Sequence, residues 1–500
     1  MVISIALGKK RVMTFPQLFE TIGGLAFVAL SLIATPTPAQ TAVGSETLVV
    51  ALPAQTFTTL ASFDQADGAG PGPSMSMIQG LDGTFYGTTQ EVGTVFNITS
   101  GGILTVVTKV VSEPYGGVVQ TTDGNFYGTT HTAGKYNKGT VFEVTPNGVL
   151  TTLHSFGGSS GWYPAAGLVQ ATNGSFYGTT YTRGPDGGGT VFKITPSGNL
   201  KVLYSFCSQT DCTDGNGASA ALIQATNGTL YGTTSEGGAN NHGTVFKITP
   251  SGTFTSLYSF CSTTRCADGG EPLAGLVQAA NGNLYGTTSS GGVHNGGTVF
   301  EITPSGNLTT LYSLCALSNC TDGRSPQAGL IQATDGNFYG TTAAGGISCS
   351  PFGSAGCGTI FRITSTGKLT TLYSFCAQTN CPDGAEPAPG LFQSTNGIIY
   401  GTTQVGGADG DGVVFSLSIG LGPFVEALPY AAKAGTSINV LGQGLTGTTA
   451  VSFNGVAAKF NLISDTRILA TVPEHATTGF LTVTTPSGKL KSNKKFRILP

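Results

Sequence analysis

The chemically distinctive residues of this 500-residue chain are its ten cysteines. Eight form four pairs with four residues between the partners, and the last two flank the segment SPFGSAG: Cys207/Cys212, Cys261/Cys266, Cys315/Cys320, Cys376/Cys381 and Cys349/Cys357. A zinc site would require Cys-x2-Cys pairs or histidines at ligand spacing, which these intervals do not supply. The pattern therefore predicts five local disulfides, formed in an oxidising compartment, that stiffen loops.

An aspartate followed by glycine lies just after each of the four matching cysteine pairs: Asp214, Asp268, Asp322 and Asp383. These carboxylates could form a partial ring of calcium ligands. A calcium ion, however, takes about six to eight oxygen ligands, and an Asp-Gly turn forms without any metal. The four aspartates are therefore weak calcium candidates, and no other metal or cofactor is predicted.

The only tryptophan, Trp162, lies next to Tyr163 in the segment GSSGWYPAAG. Two flanking segments, HTAGKYNKG and YTRGPDGGG, contribute His131, Lys135, Tyr136 and Arg183. An exposed aromatic pair beside polar groups is suited to stacking on sugar rings or anchoring a peptide. The alternative is that Trp162 packs between neighbouring structural units and closes a short loop. The candidate ligand-binding residues are Trp162, Tyr163, His131, Tyr136 and Arg183.

Patterns for catalysis are weaker. A glycosidase needs paired carboxylates, whereas the acids of this chain are sparse and mostly belong to turns. The hydroxyls of the recurring segment YGTT lack histidine and acid partners at triad spacing. The segments GLDG and GGGT lack the Lys-Ser/Thr and the strand-to-helix context of a phosphate loop. No catalytic residue is predicted, and a polysaccharide-acting hydrolase or lyase is the alternative to a binding protein.

The elements that position these residues come from an internal repeat. YGTT begins at Tyr86, Tyr127, Tyr177, Tyr231, Tyr285, Tyr339 and Tyr400, and each copy is followed by GTVF or a close variant. Each unit holds four β-like runs, joined in pairs by short Asn-Gly or Pro-x-Gly turns that favour hairpins. Glycine is abundant at 76 residues, but 39% hydrophobic residues favour turn-rich β structure over disorder. Seven such units predict an all-β fold with a seven-bladed β-propeller.

The two ends of the repeat suggest how the ring closes. An extra fourth-strand segment, TFTTLASF at 56–63, precedes the first unit, and the last unit stops after its third strand at GVVFSLS, 412–418. We expect residues 56–63 to complete the seventh blade. An open solenoid of β-units is the alternative, but it would not account for a surplus strand at one end and a missing strand at the other.

The N-terminus has the order of a secretory signal peptide, with a basic segment, a short apolar run at 22–34 and small residues before a cleavage site after Ala39. The apolar run is shorter than the roughly 20 residues of a membrane anchor. Residues 1–39 are therefore a predicted signal peptide, 40–55 a linker, and no later segment is predicted to span a membrane. Residues 40–420 carry eleven basic and twenty-one acidic residues, a net charge of −10 that disfavours nucleic-acid binding.

The segment NGNLYGTT…GGTVFKITP resembles the GloVer-type tandem repeats of exported bacterial choice-of-anchor proteins, over roughly 56–419. That resemblance implies no established activity. Residues 421–500 resemble an IPT/TIG immunoglobulin-like domain through GTSINVLGQGLTGTTAVSFNGVAAKF and the segment that follows, which implies a small β-sandwich for spacing or protein contact. The final KLKSNKKFR could contact an acidic surface, although lysine on an edge strand is the commoner explanation.

Taken together, these patterns predict an exported, non-enzymatic binding or adhesion protein, located outside the cell or at its surface. We expect the long loops of the propeller to contact an extracellular glycan or protein, because loops on a rigid scaffold commonly carry function. Besides the enzyme, a structural spacer without a small ligand is the second alternative.

Overall fold

The structure is a computed structural model that describes residues 55–72, 74–110, 112–347 and 356–500. The predicted signal peptide and nearly all of the predicted linker lie outside these residues. The described chain is all-β, and its helical elements are four short 3-10 turns at Gly158–Ser160, Thr210–Cys212, Thr264–Cys266 and Ser318–Cys320. None of its helices is long and apolar enough to cross a membrane.

The described residues of the repeat region form seven four-stranded antiparallel sheets, the blades of a β-propeller. Strand β1 is Thr56–Ser62. Blade 1 contains β2 (Ile78–Gln79), β3 (Phe85–Thr89), β4 (Thr94–Ile98) and β5 (Leu104–Lys109); blade 2 contains β6 (Val119–Gln120), β7 (Phe126–Thr130), β8 (Thr140–Val144) and β9 (Leu150–Ser155); blade 3 contains β10 (Val169–Gln170), β11 (Phe176–Thr180), β12 (Thr190–Ile194) and β13 (Leu200–Ser205). Blade 4 contains β14 (Ile223–Gln224), β15 (Leu230–Thr234), β16 (Thr244–Ile248) and β17 (Phe254–Ser259); blade 5 contains β18 (Val277–Gln278), β19 (Leu284–Thr288), β20 (Thr298–Ile302) and β21 (Leu308–Ser313). Blade 6 contains β22 (Ile331–Gln332), β23 (Phe338–Thr342), β24 (Thr359–Ile363) and β25 (Leu369–Ser374); blade 7 contains β26 (Phe392–Gln393), β27 (Ile399–Thr402) and β28 (Val413–Ser418).

The repeated YGTT and GTVF segments are packing motifs. The glycine of YGTT lies under the phenylalanine of GTVF, since a Cβ placed on Gly178 would be 2.6 Å from Cζ of Phe192. The apolar core is divided into clusters that each join two neighbouring blades. In one of them Tyr177 and Phe206 of blade 3 pack against Leu230 and Phe246 of blade 4. Each blade therefore buries both faces only when it has two neighbours.

The ring closes through the N-terminal strand. Strand β1 pairs antiparallel with β28, with Thr56 opposite Ser418 and Ser62 opposite Val413. The ring of Phe57 stacks on Tyr373 of blade 6 at a centroid distance of 3.8 Å. This confirms the prediction that the segment beginning at residue 56 supplies the missing fourth strand of the last blade.

A ring of glutamines links the blades near the axis. The last residue of each two-residue inner strand is Gln, and in six of the seven blades its side-chain oxygen accepts a hydrogen bond from a backbone N–H in the turn of the preceding blade. The exception is Gln170 of blade 3, whose side-chain bond in the described structure is to Gly174. Within the described residues the six inter-blade bonds, 2.8–3.0 Å long, join Leu81 to Gln120, Thr172 to Gln224, Thr226 to Gln278, Ala280 to Gln332, Thr334 to Gln393 and Thr395 to Gln79. The Thr395–Gln79 bond joins blade 7 to blade 1, so the circuit also crosses the closure point.

The last part of the chain forms a two-sheet sandwich. Its strands are β29 (Glu426–Leu428), β30 (Ala431–Lys433), β31 (Ser437–Leu441), β32 (Ala450–Phe453), β33 (Val456–Ala457), β34 (Phe460–Ser464), β35 (Arg467–Thr471), β36 (Gly479–Thr485) and β37 (Gly488–Leu499). The sheet orders are β29-β31-β35-β34 and β30-β37-β36-β32-β33. Val440, Ile468, Leu481 and Phe496 are buried between the two sheets.

The sandwich lies against the tight-turn face of the propeller. The N–H of Phe424 donates to the carbonyl of Thr395, and a Cβ placed on Gly83 would be 3.0 Å from Cγ2 of Thr466. On blade 4, a Cβ placed on Gly228 would be 3.3 Å from a guanidinium nitrogen of Arg497. The sandwich thus approaches inner turns of blades 1, 4 and 7. The long connections begin and end at the opposite ends of the strands.

The glutamine ring generates a stability prediction. Replacing Gln120 with alanine leaves the buried N–H of Leu81 without its acceptor, so we expect the free energy of unfolding to fall by about 2 kcal/mol. The matched control is Gln170→Ala, because Gln170 makes only an exposed 3.5 Å bond to Gly174 and should cost less than about 0.5 kcal/mol. Calorimetric melting of both variants measures the difference. Equal losses would show that the inter-blade bond contributes nothing.

Candidate ligand-binding site

Three loops meet on the long-loop face between blades 2 and 3. The N–H of Trp162 donates to the carbonyl of Thr182 at 2.8 Å, and the N–H of Tyr163 donates to the carbonyl of Lys138 at 2.9 Å. Tyr163 and Arg183 both have left-handed backbones, with φ of 61° and 63°. These bonds and turns bring the β7–β8, β9–β10 and β11–β12 connections together.

Four rings are in sequential contact in this place, and we call them the aromatic cluster: Tyr115, His131, Tyr163 and Trp162. The ring of His131 lies between Tyr115, at a centroid distance of 4.3 Å, and Tyr163, at 5.0 Å. Trp162 meets Tyr163 edge-on at 6.1 Å. Tyr115 was not predicted from the sequence as a site residue. The feature that could have indicated it is its position in SEPYGG, the connection that precedes blade 2.

Two cations lie on the aromatic cluster. The Nζ of Lys138 is 4.3 Å from the Trp162 ring centroid and 4.8 Å from that of Tyr163, and it donates to the Tyr163 hydroxyl at 2.7 Å. The guanidinium carbon of Arg183 is 4.9 Å from the Trp162 centroid. Within the described part of the chain, no carboxylate is within ion-pairing distance of either cation. Both therefore keep hydrogen-bond donors for an external anion.

The structure separates one predicted residue from the others. Tyr136 is 54% exposed and packs against Gly157, and Lys135 lies 5.2 Å from its ring. No ring contact joins Tyr136 to the aromatic cluster among the described residues. Lys138, rather than the neighbouring Lys135, is the lysine of the site.

The aromatic cluster is half-buried, whereas the sequence interpretation assumed an exposed pair. Trp162 and Tyr163 are both partly covered, Arg183 is exposed, and the indole Nε1 of Trp162 is buried without an acceptor. Burial lowers the pKa of His131, so its imidazole is neutral near pH 7 and acts as a spacer between two tyrosines. The chemistry this arrangement offers is recognition of an anion by cations held on an aromatic support.

The comparisons with known proteins concern both parts of the fold. The model of the Gloeobacter/Verrucomicrobia repeat matches residues 90–267 and 262–459, well over half of the chain. The chain belongs to the Gloeobacter/Verrucomicrobia repeat family. Residues 425–498 match the IPT/TIG domain, which identifies the sandwich. The chain has no significant match among curated proteins.

Two solved structures share the fold of these Gloeobacter/Verrucomicrobia repeats. A streptogramin B lyase is 14% identical with a TM-score of 0.50, covering 73% of this chain and 98% of its own. A catalytically inactive variant of virginiamycin B lyase from Staphylococcus aureus, bound to quinupristin, is 15% identical with a TM-score of 0.50, covering 73% and 99%. At such low identity the likeness shows the fold alone.

The predicted disulfides lie in the loops of the later repeats. Cys207–Cys212, Cys261–Cys266, Cys315–Cys320 and Cys376–Cys381 are bonded. Cys357 is also disulfide-bonded, and its predicted partner Cys349 lies outside the described residues. Each of the four matching pairs tightens a connection from one blade to the next.

The four aspartates of these repeats anchor the disulfide loops. Each is buried and accepts a hydrogen bond of 2.7–2.9 Å from a tyrosine hydroxyl at the end of the outer strand: Asp214 from Tyr204, Asp268 from Tyr258, Asp322 from Tyr312 and Asp383 from Tyr373. Each also accepts a backbone N–H of its own loop. The carboxylates lie in four different loops, and neither group of three close ligating side chains in the described residues contains any of them. Calcium binding stays a prediction, and the contacts explain the aspartates without it.

The enzyme alternative would need a carboxyl group with a raised pKa. Burial and the neighbouring charge of Asp64 raise the pKa of Asp67, on the connection into blade 1. The Asp64 oxygen, however, accepts the backbone N–H groups of Ala66 and Asp67 at 2.8 Å each, which is a loop-capping arrangement. These contacts favour a turn over an acid–base pair.

The anchoring tyrosines make stability depend on alkaline pH. Burial, together with the hydrogen bond and charge of the partner aspartate, raises the pKa values of Tyr204, Tyr258 and Tyr312 from 10.0 to about 12. Because the folded-state pKa values are raised, their contribution is complete below pH 10 and is lost as the pH rises towards 12. We expect the melting temperature to fall across this window.

The test is a triple variant, Tyr204→Phe/Tyr258→Phe/Tyr312→Phe. Its melting temperature should be lower at pH 7 but should decrease less steeply between pH 10 and 12, whereas Tyr136→Phe should follow the wild type. Parallel profiles for the triple variant and wild type would contradict this assignment.

Proposed function

We propose that the protein is an exported, non-enzymatic binding protein that holds an anionic glycan against the long-loop face of its propeller. The observation that carries the proposal is the pair of cations, Lys138 and Arg183, which rest on the Trp162 and Tyr163 rings without carboxylate partners. The IPT/TIG sandwich acts as the spacer. Export is supported by the disulfides and by the order of residues at the N-terminus.

An acidic sugar fits this site better than a neutral one. Carboxylate or sulfate groups would take the free donors of Lys138 and Arg183, and the partly exposed rings offer apolar surface for the sugar faces. The two cations already cover part of the ring surface. Stacking of sugar rings on the aromatic cluster therefore explains the site less well than recognition of an anion does. Anionic recognition also accounts for two cations on the Trp162 ring that have no carboxylate partner.

The rigidity of the scaffold supports binding over catalysis. The site loops are held by backbone bonds to one another, and His131 is enclosed between two rings. A general base must reach the proton that it abstracts, and the rings on both sides of His131 restrict that access. A preformed site instead limits the entropy lost when a ligand binds.

The test is binding of the purified, oxidised chain to an array of acidic and neutral polysaccharides. We expect binding to acidic members, and Trp162→Ala should weaken it at least about tenfold, because it removes the ring that supports both cations. Lys138→Met/Arg183→Met should abolish the preference for acidic over neutral glycans. The control Lys135→Gln removes one positive charge from the same loop and should change little.

The alternatives give different results in the same array. Wild-type protein that is folded but binds no glycan would contradict the proposal and favour a protein partner or a spacer. Binding that survives both Trp162→Ala and Lys138→Met/Arg183→Met would place the ligand elsewhere on the molecule. Release of shortened or unsaturated products from a bound polysaccharide would favour the hydrolase or lyase alternative.

A further inference from the structure

The sandwich carries a row of lysines on the outer face of one sheet. Lys489, Lys491 and Lys495 of β37 are exposed, while Leu490 and Phe496 of the same strand are buried in the core. Their partners on β36 are Thr484, Thr482 and Phe480. Residues directly opposite in an antiparallel pair share a face. We call this surface the lysine face.

The lysine face extends across a third strand and is hydroxyl-rich. Ser452 of β32 is opposite Thr482, and their hydroxyls are 2.6 Å apart. The Nζ of Lys491 lies 3.9 Å from the centroid of Phe480, so the aromatic ring is covered by a cation and is not a bare apolar patch. The surface therefore combines ammonium and hydroxyl groups.

The charges of the lysine face are not neutralised within the protein. Residues 421–500 contain eight basic and three acidic residues, a net charge of +5. Of the acids, Asp465 is held by the backbone N–H groups of Gly444 and Thr446, and Glu426 interacts with Lys494, which is not one of the three. Within the described residues no carboxylate is within ion-pairing distance of Lys489, Lys491 or Lys495.

Protection of a sheet edge does not fully account for this surface. Strand β37 is second in its sheet, with β30 paired along residues 497–499 and a single bridge between Val425 and Ser492 further along. One edge of the strand is thus partly exposed, and a single lysine would be enough to hinder its pairing with another chain. Three lysines on one face are more than edge protection requires. A solvated surface also usually mixes basic and acidic residues, and there is no acidic residue among these three lysines.

We propose that the lysine face is a second binding site, for an extended acidic polysaccharide of the polyuronate class. The three lysines lie opposite every second residue of β36 and offer a row of ammonium groups to the repeated carboxylates of such a chain, and the threonine and serine hydroxyls match its hydroxyl groups. A lipid surface would instead favour exposed apolar side chains for insertion, and the one aromatic ring here is covered by Lys491. The site is independent of the aromatic cluster, which belongs to the propeller.

The experiment measures binding of the purified full chain to immobilised polygalacturonate over a range of salt concentrations. Lys489→Gln/Lys491→Gln/Lys495→Gln should weaken binding at least about tenfold at low salt and lower the slope of log affinity against log salt by about two to three. The matched control is Lys201→Gln/Lys368→Gln/Lys459→Gln, which removes the same charge from three scattered exposed positions and should leave the slope nearly unchanged. Unaltered melting temperatures establish that both variants are folded.

Three outcomes would overturn the proposal: no binding by the wild type, equal losses in the two triple variants, or binding only to phosphatidylglycerol vesicles. The last would assign the lysine face to a membrane surface. The triple variant is also made in the Trp162→Ala background. A salt-dependent component that persists in Trp162→Ala and disappears when the lysines are removed supports the second site even if the propeller site fails its own test.

Discussion

A single blade of this propeller has two apolar faces and therefore depends on two neighbours. Every described core cluster of the repeat region joins residues of successive blades, as with Tyr177 and Phe246 between blades 3 and 4. The polar counterpart is the glutamine ring, in which a side-chain amide of one blade accepts an N–H of the blade before it. Ring closure is thus the condition under which the aromatic cluster, the disulfide loops and the anchoring tyrosines acquire fixed positions.

The fold was predictable because each copy of the sequence repeat corresponds to one blade. Seven copies of YGTT and GTVF predict the blades, and the surplus segment at 56–63 predicts the pairing of β1 with β28. The spacing of the cysteine pairs likewise predicts the four bonds in the described loops. The glutamine ring was visible as a recurring Gln before each inner turn, but its partner lies in the preceding blade, and no local pattern indicates a bond of that kind.

The candidate site was only partly predictable, because it depends on loop conformation and on contacts between residues of different connections. The sequence does not distinguish Lys135 from Lys138, since both are lysines in the same glycine-containing loop. Left-handed backbones at Ala133, Gly134 and Asn137 turn that loop so that Lys138 approaches the rings. Tyr115 was missed because it comes from the connection before blade 2, and only the ring geometry brings it beside His131. The four aspartates were found, but their role depends on tyrosines ten residues earlier.

The pairing of β1 with β28 also sets the order in which this chain must fold. The side chain of Ser62 accepts a hydrogen bond from Ala408, 346 residues away, so the first strand to be made meets its partner only after the other blades exist. Such distant contacts slow folding, and an unpaired strand edge is prone to wrong association in the meantime. Until β1 docks, the incomplete propeller would therefore expose the open side of blade 7, and the chain would depend on being kept from self-association.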